Sequence, residues 1–156
     1  MATPPVLDGD ALHRLGEQLG SSDVLCGFLR HYLALLDQRI ARLERALTCS
    51  DQDDWLDAVL SLKTSSAMAG AQALAEQAAD LQQESARCPS WQGPAVCVEG
   101  RSLAAAAAAR GAVLTRRAER MACLRRLAAE TARQLRIFLH TMGAASRAAT
   151  DASGAG

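Results

Sequence analysis

The sequence predicts an all-α chain, an antiparallel four-helix bundle with an extra short helix at its N-terminus. Three observations carry that expectation. Hydrophobic residues make up 49% of the chain but aromatics only 3%, and an alanine- and leucine-rich composition favours close-packed helices over sheets. Apolar residues recur at steps of three and four over long stretches, which is the helical period. The segments between those stretches are mostly short, as in a bundle of neighbouring antiparallel helices.

In chain order, residues 1–7 read as an extended leader. Asp8 can cap a short helix with apolar positions Ala11, Leu12, Leu15 and Leu19, and Gly20-Ser21-Ser22 stops it while a serine caps the next helix. That second helix carries the clearest stripe: Leu25, Phe28 or Leu29, Tyr32, Leu36, Ile40, Leu43 and Leu47. Cys49 and Ser50 mark a tight turn, and Ser50 with Asp53 approximates a capping box for a third helix. The inward stripe there is Trp55, Val59, Leu62, Ser66 and Ala69, and Gly70 ends it. A fourth helix follows with Leu74, Ala78 and Leu81 facing in. Residues 87–100 contain Pro89, Gly93, Pro94 and Gly100 and read as a loop. A fifth, long helix is expected from about Ser102 to His140 or Thr141. Its stripe is Leu114, Ala118, Met121, Leu124 or Arg125, Ala128, Leu135 and Phe138. The bundle proper is therefore expected over 8–142. Residues 143–156, rich in Ala, Gly and Ser, read as a disordered tail.

Charge is balanced overall but divided along the chain. Residues 1–100 hold 14 acids and 7 bases, whereas residues 101–156 hold 3 acids and 10 bases. The simplest consequence is mutual attraction between the two halves inside the fold, with a basic surface for an acidic partner as the alternative. The opening Met1-Ala2-Thr3-Pro4-Pro5 lacks the basic and apolar regions of a secretory leader, and no apolar run is long enough to span a membrane. Five cysteines (Cys26, Cys49, Cys88, Cys97 and Cys123) without C-x-x-C spacing suit free thiols in a reducing cytoplasm, with a Cys88–Cys97 bridge as the lesser alternative. No His and Cys residues have a metal-ligand spacing, and Asp53, Asp54 and Asp57 are explained by the helix N-terminus they occupy. Neither a metal nor a cofactor is expected. The arginines of the fifth helix lack the interleaved aromatics and helix-turn-helix pattern that would point to nucleic acid.

The informative stretch is Val59-Leu60-Ser61-Leu62-Lys63-Thr64-Ser65-Ser66-Ala67-Met68-Ala69-Gly70-Ala71-Gln72-Ala73-Leu74. It resembles the signature of the histidine phosphotransfer (HPt) domain family, A-H-x-L-K-G-S-S-x-x-x-G-A-x-x-L. Leu62, Lys63, Ser65, Ser66, Gly70, Ala71 and Leu74 match in register, and the resemblance extends over roughly residues 6–86. It implies a four-helix bundle that docks a response-regulator receiver domain or a histidine kinase. Two departures fall at the functional positions: the phosphoaccepting histidine corresponds to Leu60, and the glycine one turn later corresponds to Thr64. Leucine offers no nucleophile, and phosphoryl transfer needs a nitrogen nucleophilic near neutral pH. The resemblance thus implies a module without enzymatic activity that binds its partner without accepting phosphate.

Helical geometry places Leu56, Leu60, Lys63, Thr64 and Ala67 on a face adjoining the core stripe, and these five are the expected partner-binding residues. Lys63 is the only lysine of the chain. In the family this lysine lies near the phosphoryl site, and here it could meet the acidic pocket of a receiver. Plainer roles stand beside these: Leu60 packed against a neighbouring element, Lys63 solvated, Ser65 and Ser66 bonded to the preceding turn or filling gaps. His13, His31 and His140 lie outside the signature and are weak substitutes as phosphoacceptors. A different class of reading is a scaffold or oligomerisation bundle that uses the fifth helix, through which a homodimer would form.

Overall fold

The computed structural model describes residues 2–87 and 103–154, and among them it is all-helical. Five helices run in order: α1 (Gly9–Leu19), α2 (Ser22–Cys49), α3 (Gln52–Met68), α4 (Gln72–Arg87) and α5 (Leu103–Ser153). The loop expected over 87–100, and with it the Cys88–Cys97 alternative, falls outside the described residues except for Arg87, which ends α4. Packing joins α2 to α1, α3 and α5, and α4 to α3 and α5. The core between them is mostly leucine and alanine around one tryptophan.

The first two helix starts are as expected. Asp8 Oδ1 accepts from the Ala11 amide at 3.1 Å, and Ser21 Oγ accepts from Asp23 at 3.2 Å. In α1 only Leu12 is fully buried. Leu15 packs partly, and Leu19, expected on the stripe, stands exposed because the helix ends there. In α2 the stripe resolves to Leu25, Leu29, Tyr32, Leu36, Ile40 and Leu43. Phe28 and Leu47 flank it, and Ala46 rather than Leu47 is buried at its end.

The third helix begins one residue later than the capping box implied. Ser50 sits in the left-handed region at φ 53°, closing α2, and so cannot take the extended conformation that an N-cap needs. Asp51 caps instead, its Oδ1 accepting from the Asp54 amide at 3.0 Å. All five expected core positions of α3 are buried: Trp55, Val59, Leu62, Ser66 and Ala69.

Gly70 joins α3 to α4 at φ 70°. A Cβ there would lie 3.1 Å from the Asp8 carbonyl oxygen and 3.2 Å from Leu12 Cγ. The segment before α1 is tied to this turn: the Asp8 amide donates to the Gly70 carbonyl (2.8 Å), and the Ala73 amide to that of Pro5 (3.1 Å). In α4, Leu74, Ala78 and Leu81 are buried as expected.

In the fifth helix Met121, Leu124, Ala128 and Leu135 are buried as expected, but the row differs at one position near its start and the helix is longer. Its buried row is Arg117, Met121, Leu124, Ala128, Thr131 and Leu135, with Phe138 half-buried. Ala118 and Arg125 face solvent, and the side chain of Leu114 lies outside those described. Arg117 takes the place expected of Ala118, its guanidinium over the Trp55 ring at 5.7 Å from the centroid. A long arginine can bury its stem and set its charged head on an aromatic face. The expected irregular tail is helical instead: α5 continues to Ser153. Alanine-rich sequence propagates helix well, and one glycine at 143 costs only about 1 kcal/mol. Arg147 Nε and Thr150 Oγ1 donate back to carbonyls one turn earlier.

Part of the charge division is met inside the fold. Arg125 pairs with Glu44 of α2, and Arg120 with Glu84 of α4 and, at 3.9 Å, with Asp80. No helix among the described residues is long and apolar enough to cross a membrane.

Candidate docking face

Along α3, the inner and outer faces are chemically distinct. The inner face is apolar but carries two buried polar links. Trp55 Nε1 donates to Ser85 Oγ at 2.9 Å, and that hydroxyl in turn donates to the Leu81 carbonyl at 2.8 Å. Tyr32 Oη and Ser66 Oγ share a hydrogen bond of 2.9 Å between α2 and α3. Burial pushes the Tyr32 phenol up from its ordinary value, while the Ser66 hydrogen bond and nearby Arg39 act in the opposite sense. Ser65 Oγ donates to the carbonyls of Ser61 (2.8 Å) and Leu62 (3.2 Å). The two signature serines are therefore engaged in the structure of the helix and its packing.

The outer face holds all five expected partner-binding residues. Leu60 is 47% exposed, Thr64 and Ala67 are exposed, and Leu56 is half-buried against the core. Lys63 is half-buried and leans toward α4, its Nζ donating to Gln82 Oε1 at 3.0 Å. It is neither fully solvated nor free: a partner carboxylate would have to compete with Gln82.

Met68, 56% exposed, belongs to the same surface and was missing from the expected set. Its position could have been read from spacing, since Leu60, Thr64 and Met68 follow at steps of four. Gln82 had no comparable signal, because the register between α3 and α4 is set by packing.

At its N-terminal end the outer face becomes acidic. Arg42 of α2 holds Asp54 (2.6 Å) and Asp57 (2.7 Å), whereas Asp53 is exposed and has no ion pair among the described residues. The three histidines are all exposed and sit on other helices: His13 on α1, 3.5 Å from Glu17, His31 on α2 and His140 on α5. Among the described residues no group of three or more His, Cys, Asp or Glu could hold a metal ion.

No family model matches the chain, nor does any of the curated proteins or solved structures compared with it. The functional reading therefore stands on the residues themselves.

Proposed function

We propose that the chain is a signalling interaction module of a bacterial two-component or phosphorelay pathway. In this reading it is an HPt-like four-helix bundle, formed by α2 to α5 with α1 as the extra helix. It binds a receiver domain or a histidine kinase in the cytoplasm and accepts no phosphate.

The observation that carries the reading is the position of Leu60. It sits at the middle of α3, in the signature's phosphoacceptor slot, with its side chain half in solvent rather than packed away. An apolar residue where the family presents an imidazole keeps a contact surface while removing the nucleophile. Thr64, exposed one turn on, fills the space that a glycine would leave clear for the partner's pocket. Met68 lengthens the same apolar strip. The helix pairings support the bundle, since α3 and α5 each pack against both α2 and α4.

The test is phosphotransfer to the Leu60→His, Thr64→Gly double variant and to the natural chain, each incubated with phosphorylated receiver domains from the same genome. Acid-labile phosphate on the double variant alone is the expected result. No label on either chain, together with no receiver binding, would remove the docking reading.

A scaffold or oligomerisation role is the second reading. What favours it is α5, whose 51 residues span about 76 Å against about 42 Å for the 28 of α2. The exposure of Leu60 weighs against it, because that reading makes Leu60 a core residue.

A further inference from the structure

Two exposed faces of this molecule combine apolar residues with charge, of opposite sign on the two faces. On α3, Asp53, Asp57, Leu60, Thr64 and Met68 follow at steps of three and four in one row, and all five are exposed, with Asp57 already held by Arg42 of α2. On α5, Ile137 is 56% exposed, with Arg133 and Arg136 next to it and Arg126 on the same side about three turns earlier. Arg133 is shared with Glu130. Arg126 and Arg136 have no ion pair among the described residues, and neither has Asp53. Of the five large hydrophobic residues left exposed among the described residues, Leu60 and Met68 lie on the first face and Ile137 on the second.

We infer that these faces are complementary, and that the acidic face of one copy takes the basic face of a second copy of this chain. Charge complementarity carries the choice of occupant. The α3 face supplies the unpaired Asp53 and the α5 face the unpaired Arg126 and Arg136, and each has apolar surface to bury beside that charge. The formal net charge of the chain is +0, so no long-range repulsion opposes the approach of two copies.

The geometry also sets the form of the assembly. Since α3 and α5 each pack against α2 and α4, their outer faces point away from one another across the fold. A contact between different faces is heterologous, and when the faces point apart it adds copies in a row rather than closing a pair. The contact uses Leu60, so a second copy and a receiver would compete for α3. The association itself requires no receiver, and its failure would leave the proposed receiver docking untouched.

Sedimentation equilibrium of the full chain tests this. The average mass should rise with concentration without levelling at a dimer, and should fall as salt is added, because surface charges are screened over about 10 Å at 0.1 M. Two reversed variants sharpen it: Arg126→Glu with Arg136→Glu makes both faces acidic, and Asp53→Arg with Thr64→Arg makes both basic. Far-UV circular dichroism and thermal midpoints establish that each variant is folded. Each alone should remain monomeric, and an equimolar mixture should associate again. A natural chain that is monomeric up to its solubility limit, a closed dimer, or folded variants whose mixture stays monomeric would each overturn the inference.

Discussion

The two faces of α3 share one backbone and differ in what holds each residue in place. On the inner face, Trp55, Val59, Leu62 and Ser66 are each 0% exposed, and both buried polar side chains have partners. On the outer face, Leu60, Thr64, Ala67 and Met68 are exposed, and links to other helices come from its edges, through Lys63 to Gln82 and through Asp57 to Arg42. The difference separates two kinds of constraint. Inner residues are required by the fold itself. Outer residues are free to change without unfolding the chain, and under the proposed function the apolar strip there is what a partner meets.

That separation can be broken from the inside first. Trp55→Ala removes the largest buried side chain among the described residues, leaves Ser85 without its indole donor and takes the aromatic face from Arg117. A loss of about 3–5 kcal/mol is expected in urea unfolding, a large share of the 5–15 kcal/mol of a typical domain of roughly this size. Next in size is Gly70→Ala. A left-handed backbone costs a residue with a Cβ about 1–2 kcal/mol, and here the added carbon also presses on the Asp8 carbonyl and Leu12. Thermal unfolding should show at least that loss, with α1 loosened in hydrogen exchange.

Tyr32→Phe is smaller, about 1 kcal/mol, because it leaves the buried Ser66 hydroxyl with one partner fewer. It also has a pH signature. The phenol is raised above its ordinary value of 10.0 in the folded chain. Its contribution is thus fully present below pH 10 and is lost as pH rises through the folded value. Unfolding free energy measured from pH 8 upward should fall more steeply above about 10 in the natural chain than in Tyr32→Phe.

The inner face was legible in the sequence because one rule governs it: large apolar residues at a 3.6-residue period. Trp55, Val59 and Leu62 follow that rule, and all five positions predicted for α3 are buried. The same rule misplaced the row of α5 by one position near Trp55, because the residue buried there is Arg117, which an apolar pattern passes over. Thr131, also buried, escaped it for the same reason. The start of α3 was misjudged by one residue because Ser50 and Asp51 are both good caps, and the backbone of the preceding turn decides between them. The helical continuation past Gly143 was hidden by a composition that suits either state. On the outer face, spacing found Leu56, Leu60, Lys63, Thr64 and Ala67. The attachment of Lys63 to Gln82 depends on how two helices align, which no single-helix pattern contains.

The central claim is that the outer face of α3 serves a partner rather than the fold. Leu60→Arg tests it most directly, with unfolding and receiver binding measured on the same preparation. A surface substitution of this kind should shift stability by no more than about 0.5 kcal/mol, while a charged side chain in the apolar strip should abolish the receiver binding proposed for the natural chain. Undiminished binding by a normally stable Leu60→Arg chain would contradict the account, as would a stability loss of the size expected for Trp55→Ala.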